Sequence, residues 1–448
     1  MNEEETISPL ETIPQVQSFP PPEINKRENL IKEGENYLKK LGPGIITGAA
    51  DDDPSGITTY SQAGAQYGNG LIWMAAWVYP LVATVQEMCA RIALVTGRGL
   101  ASNIKHNYSK KILYVCTILL FFANTLNIGA DLGAMAKAIQ LLAPKFSFIF
   151  LVIFTGLAGL LLEIIVPYRI YTKYLKWLVI AVFAYIVTGL IINMDWLLLL
   201  KDGFIPQITL SKSQILLITG ILGTTISPYL FFWQTSQEIE EEISMGKKTI
   251  LSRKNTNHAE IKEMRIDIWV GMFLSNLVMF FIIAVCSHTL FANGITNIET
   301  AADAARALQP LAGSWAFLLF AIGIIGTGLL AIPVLAGSAA YAITESFGWK
   351  EGLYRKFKTA HAFYGVIAVS IIIGILINFI GIDPIKALLY SAIANGIIAP
   401  VILVFIVKIS SSKKIMGEFK NSLTTKIIGW VTTVLMSITA IAAIISMF

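Results

Sequence analysis

Charge is what this sequence has least of. Only 14% of its 448 residues are Asp, Glu, Lys or Arg, against roughly 25% in soluble domains, which excludes an ordinary water-soluble fold. Histidine and cysteine are scarce too, at four and three residues. No spacing joins them as zinc ligands or as a disulfide framework. Cys89, Cys116 and Cys286 instead fall inside apolar runs, where a thiol packs as a small hydrophobe. The chain carries no nucleophile elbow, no HExxH pair and no phosphate-cradling P-loop, so it lacks the signatures of the common hydrolases and of an ATP-powered pump.

What it has is apolar length. Hydrophobic residues make up 55% of the chain and mean hydropathy is +0.66. About 20 apolar residues suffice to cross roughly 30 Å of hydrocarbon as a helix. Eleven such runs are expected, near 43–66, 69–94, 112–140, 147–166, 174–193, 213–237, 266–289, 314–345, 361–380, 385–408 and 426–447. The expected fold is therefore an all-α polytopic membrane protein.

Basic residues mark alternate connections. Arg98, Lys105, Lys110 and Lys111 lie between runs 2 and 3, Lys247, Lys248, Arg253, Lys254, Lys262 and Arg265 after run 6, Lys350, Arg355, Lys356 and Lys358 after run 8, and Lys413, Lys414 and Lys420 after run 10. Since Lys and Arg collect in cytoplasmic loops, the amino terminus is expected in the cytoplasm and the carboxyl terminus outside, in the cell's inner (plasma) membrane. These loops account for the net charge of +5 without nucleic acid. Residues 1–40, rich in Glu, Pro, Lys and Asn, read as a cytoplasmic tail, its last part from Asn25 to Lys40 a candidate surface helix.

Two of the runs are interrupted where they should be most regular. Asp51-Asp52-Asp53-Pro54-Ser55-Gly56 breaks the first, and Gly223-Thr224-Thr225-Ile226-Ser227-Pro228 breaks the sixth. A carboxylate at the bilayer midplane costs about 3 kcal/mol or more unless partnered, and Pro and Gly free backbone carbonyls there. Together they offer an oxygen-rich cation site. Breaks five spans apart imply an inverted repeat: a LeuT-like 5+5 arrangement, with repeat 1 over 41–195, repeat 2 over 196–410 and an extra helix in 411–448.

Gly42-Pro43-Gly44, Asp53-Pro54 and Gln62-Ala63-Gly64-Ala65, with Gln86-Glu87-Met88-Cys89-Ala90-Arg91, Val95-Thr96-Gly97 and Ala130-Asp131-Leu132, resemble the natural-resistance-associated macrophage protein (NRAMP) family of divalent-metal transporters. The resemblance runs from about residue 40 to the end. It departs from the family where ligands are implied. Gly56 stands for the asparagine of Asp-Pro-Gly-Asn, Ser227 for the methionine and Tyr229 for the histidine of the sixth-span motif, and Ala134 for an acidic residue linked to proton movement.

A thioether favours soft metals, whereas carboxylate, hydroxyl, carbonyl and water suit Mg²⁺ and Mn²⁺. Losing asparagine bulk also leaves room for a partly hydrated ion. In lacking the methionine, the chain resembles the NRAMP-related magnesium transporters. The implied metal ligands are Asp53 and Ser227, with Ala50, Gly56 and Thr224 at the breaks. Asp51, Asp52, Asp131, Tyr229 and Asn395 are candidates for outer positions or the pathway.

Blander readings stand beside these. Asp53 suits a helix N-cap, and Ser227 could satisfy a freed carbonyl. Asp131 and Lys137 either pair or face the pathway. Glu87 and Arg91, four apart, read as an intrahelical pair, Asn395 as interhelical packing, and His106, His258, His288 and His361 as solvated or interfacial.

The expected function is secondary transport of divalent metal, Mg²⁺ first and Mn²⁺ also, by alternating access with little or no proton coupling. No cofactor is expected, and the partners are the metal substrate and the bilayer, with the chain a monomer. Three alternatives remain open: a proton-coupled Mn²⁺/Fe²⁺ carrier, a sodium-coupled organic-solute transporter of the same fold, and a di-aspartyl intramembrane protease pairing the 51–53 cluster with Asp131.

Overall fold

Proline sets the first break. The computed structural model describes residues 42–166, 183–254, 256–298 and 300–448. Helix α1 spans Pro43–Asp51 and α2 Pro54–Tyr67. Pro54 has no N–H to offer the carbonyl of Ala50 four residues back, and it holds the preceding Asp53 extended, at φ −68° and ψ 171°.

The chain continues through α3 (Trp73–Thr96), α4 (Leu100–Asn107), α5 (Lys110–Leu142), α6 (Phe148–Ile165), α7 (Ala184–Ile191) and α8 (Trp196–Phe204). The second break repeats the first. Helix α9 covers Lys212–Thr225 and α10 Pro228–Ser244. Pro228 stands four residues after Thr224, and Ser227 is extended at φ −84° and ψ 139°. Then follow α11 (His258–Thr289), α12 (Ala316–Phe347), α13 (His361–Ile377), α14 (Pro384–Ser411) and α15 (Leu423–Met447).

Among the described residues, nine helical stretches are long and apolar enough to cross a membrane. Two expected spans are not among them. The broken first run has halves of 9 and 14 residues, and the fifth, expected over 174–193, lies partly outside the described residues. The tail over 1–40, with its candidate helix Asn25–Lys40, lies outside them as well.

Glycine lets the broken helices sit backbone to backbone on their neighbours. A Cβ on Gly48 of α1 would fall 2.6 Å from the Gly271 carbonyl carbon of α11, and one on Gly223 of α9 would fall 2.6 Å from the Gly396 Cα of α14. The start of α1 is capped from a distance. The Asp267 carboxylate of α11 accepts from Gly42 N at 3.1 Å and Gly44 N at 2.6 Å, placing an anion against the positive end of the helix.

The first run thus leans on α11, while α10 of the sixth leans on α3. The two contacts share a further detail. Ser61 and Thr235 each stand seven residues after the proline of their break. Ser61 lies near the Cys286 thiol of α11 with its hydroxyl unbonded among the described residues, and Thr235, near the Cys89 thiol of α3, donates to Phe231 O at 2.6 Å. All three cysteines are buried and free.

The expected Glu87–Arg91 pair forms at 3.4 Å, within a larger cluster. Arg265 of α11 reaches Glu87 at 3.1 Å, and Arg91 donates to Phe419 O at 2.9 Å and Asn421 Oδ1 at 2.6 Å. Spans 2 and 7 and the link before α15 are tied together there. Lys137 does not pair with Asp131. Its ammonium lies 5.1 Å from the centre of the Phe148 ring, because the start of α6 brings that ring over the outer end of α5.

Candidate metal centre

Asp53 sits at the meeting point of the two breaks, fully buried. Its Oδ1 accepts from Gly56 N at 2.7 Å, so it does cap α2. The same oxygen faces the Thr224 hydroxyl at 3.4 Å. Its Oδ2 accepts from Asn127 Nδ2 at 2.9 Å and faces the Tyr229 hydroxyl at 3.4 Å. One carboxylate therefore draws together both broken runs and α5.

The freed carbonyls lie beside it. Ala50 O accepts from the Tyr229 hydroxyl at 3.2 Å, and Thr224 O accepts from the Ser227 hydroxyl at 2.5 Å. Ser227 also donates to Gly223 O at 2.6 Å and makes no capping bond to α10. The carbonyl-satisfying role is thus seen, and no hydrogen bond joins Ser227 to Asp53. Gly56 closes the site from below. A Cβ there would lie 3.2 Å from Asp51 O and 3.3 Å from Thr224 Oγ1, so the space left by the missing side chain is bordered by two oxygens.

The outer candidates divide. Asp51 and Asp52 are buried and share the Ser275 hydroxyl of α11, at 2.5 and 3.4 Å. Ser275 relieves part of their mutual repulsion. Asp131 is buried with neither carboxylate oxygen hydrogen-bonded among the described residues, within electrostatic reach of Asp53. Asn395 is buried on α14, and its Oδ1 likewise has no partner among the described residues; no bond takes it to Asp53. Among the described residues, no group of three or more His, Cys, Asp or Glu is arranged to hold a metal. A cation here would depend on one carboxylate with carbonyl and hydroxyl oxygens, the donor class of hard ions.

Asn127 and Ser391 escaped the sequence reading. Ser391 of α14 donates to Asn127 Oδ1 at 2.7 Å. A signal was present: Asn124, Asn127 and Asp131 recur at helical spacing on one face of an otherwise apolar run. Asn124 packs structurally, donating to Leu335 O at 2.8 Å and Ser338 Oγ at 2.7 Å.

The model of a family described as natural resistance-associated macrophage protein-like matches residues 44–446. The chain belongs to this family. Members of the Nramp family are transporters rather than enzymes, so the protease alternative falls. The chain is similar to the divalent metal cation transporter MntH of Klebsiella pneumoniae (strain 342), 23% identical over 402 residues that cover 88% of this chain and 91% of that protein. It is 26% identical to the protein of the same name from Caldanaerobacter subterraneus subsp. tengcongensis over 414 residues, covering 90% and 92%.

Among solved structures, the Eremococcus coleocola manganese transporter in complex with an aromatic bis-isothiourea compound superposes at a TM-score of 0.74 and 17% identity, covering 92% of this Nramp chain and 88% of that one. Mhp1 in its inward-facing conformation gives 0.51 at 12% identity, covering 91% and 89%. These likenesses are of fold. They place the chain in the all-α, LeuT-like class with broken first and sixth helices.

Proposed function

We propose that this chain is a secondary transporter of hard divalent cations, Mg²⁺ foremost and Mn²⁺ also, working by alternating access with little or no proton coupling. The observation that carries this reading is the pair of proline-made breaks. Each frees a carbonyl, at Ala50 and Thr224, beside the buried Asp53 carboxylate, and the oxygen of Ser227 stands where the family pattern has a thioether. Asp53, Ser227, Ala50, Gly56 and Thr224 are the proposed ion-contacting positions. Asp51, Asp52, Asp131, Tyr229 and Asn395 are proposed for outer positions or the pathway.

The relatives named as divalent metal cation transporters support the cation class. The matching breaks support repeats over 41–195 and 196–410, with 411–448 added. The basic connections support a plasma-membrane protein with a cytoplasmic amino terminus, an external carboxyl terminus and a cytoplasmic tail over 1–40; we take it as a monomer. The test is uptake by reconstituted liposomes with Mg²⁺, Mn²⁺, Ca²⁺ and Cd²⁺ compared side by side. Cd²⁺ uptake without Mg²⁺ uptake would overturn the hard-ion reading.

A second reading, proton-coupled Mn²⁺ transport, is favoured by one observation. Asp131 is buried near Asp53 with no hydrogen-bond partner among the described residues, as a proton carrier would be. The liposome comparison decides between them when internal pH is recorded along with metal entry.

A further inference from the structure

We infer that Asn127, held by Ser391, is a positioning residue that restricts Asp53 to single-oxygen ligation and so sets the preference for small octahedral ions over Ca²⁺. This rests on the proposed transport of hard divalent cations. Of the described side chains around Asp53, only Asn127 makes a short bond, 2.9 Å to Oδ2, whereas Thr224 and Tyr229 stand at 3.4 Å. Backbone N–H of Gly56 takes Oδ1 at 2.7 Å. Each carboxylate oxygen therefore already has one lone pair committed to a donor that cannot turn into a ligand.

The amide cannot reverse its ends. Ser391 donates to Asn127 Oδ1 at 2.7 Å, and a flipped amide would set its carbonyl against the Asp53 carboxylate, acceptor facing acceptor. Asn127 and Ser391 are buried, so water does not compete for either bond. The single Ser391 proton is shared between Asn127 Oδ1 and Leu388 O of α14, 2.8 Å away. Asp53 is thereby braced from two spans outside the broken helices.

Coordination chemistry turns this brace into selectivity. Ca²⁺ takes six to eight oxygens and welcomes bidentate carboxylates, whereas Mg²⁺ demands an octahedron of single-oxygen contacts and keeps several waters. With Oδ2 held by Asn127, turning the carboxylate to bring both oxygens onto one ion works against that bond. Releasing the pin should favour the larger cation.

The experiment measures Ca²⁺ competition against Mg²⁺ uptake in liposomes, and Ca²⁺ and Mg²⁺ binding by equilibrium dialysis of purified protein, for wild type, Asn127→Leu, Ser391→Ala and the double variant. Asn127→Leu should raise the potency of Ca²⁺ relative to Mg²⁺ by about tenfold, the scale of one hydrogen bond to a charged group. Ser391→Ala should shift it the same way by less, and should add nothing in the Asn127→Leu background, because its effect passes through the amide.

Should Asn127→Leu fail to elute as a folded protein, Ser391→Ala carries the same test. An unchanged Ca²⁺ to Mg²⁺ ratio in the folded variants, or fully additive shifts, overturns the inference while wild type still takes up Mg²⁺. If wild type neither binds nor transports Mg²⁺ or Mn²⁺, the underlying transport reading fails instead, and this inference with it.

Discussion

The Tyr229 hydroxyl donates to the Ala50 carbonyl at 3.2 Å, so the second half of the sixth run satisfies the oxygen that Pro54 leaves free in the first. The same hydroxyl faces Asp53 Oδ2 at 3.4 Å. Neither broken helix completes the centre alone.

Asp53→Ala should abolish uptake of every divalent ion in liposomes. Folding should survive. The substitution removes an N-cap worth about 1 kcal/mol and leaves the Asn127 amide short of one partner, a cost a large helical bundle tolerates. Elution as a single folded species together with near-normal metal uptake would remove Asp53 from the site.

Ser227→Met should move selectivity toward Cd²⁺ and away from Mg²⁺. A soft thioether replaces a hydroxyl and takes space that a hydration water needs. The loss of the Ser227 bonds to Gly223 O and Thr224 O also releases two carbonyls, so a change confined to overall rate would point to a structural role. The deciding measurement is the potency of Cd²⁺ as a competitor of Mg²⁺ uptake, and equal potency in variant and wild type places Ser227 away from the ion.

A pH-sensitive dye inside liposomes should stay flat while Mg²⁺ or Mn²⁺ enters down its gradient. Tyr229 and Ala134 stand where the family resemblance implies two titratable stations. Asp131→Asn should then leave metal flux largely intact. Acidification in proportion to metal entry, abolished by Asp131→Asn, would establish the proton-coupled reading.

Cys89 and Cys286 should report the two sides of the cycle in opposite senses. Cys89 lies on α3, against which α10 packs, and Cys286 on α11, against which α2 packs, and both thiols are fully buried. Movement of α10 away from α3 uncovers Cys89, and movement of α2 away from α11 uncovers Cys286. With Cys116→Ser as background, maleimide labelling followed by peptide mass spectrometry should show that conditions speeding one site slow the other. Parallel changes at both would indicate simple breathing of the bundle.

The breaks were legible in the sequence because their cause is covalent and local. A proline lacks its N–H wherever it stands, so Pro54 and Pro228 free the carbonyls of Ala50 and Thr224 irrespective of neighbours. Apolar length marked the spans in the same way, since hydropathy belongs to each residue, and Asp53 was conspicuous as a carboxylate at such a break.

Partners of neutral polar side chains belong to the packing. Asn127 lies 74 residues from Asp53 and Ser391 lies 264 from Asn127, and an amide carries no sequence signal for which distant group it will meet. Ser275 finds Asp51 across 224 residues for the same reason. Lys137 shows the converse: of the two readings left open, a pair with Asp131 or a place on the pathway, the pair does not form, and the Phe148 ring at the start of α6 lies by the ammonium instead. The sequence alone marked the apolar runs and the two places where they must break, through local covalent and solvation properties. Only the tertiary structure decided which buried donors brace the one carboxylate at the centre, because each buried polar group bonds to whichever partner helix packing brings within about 3 Å.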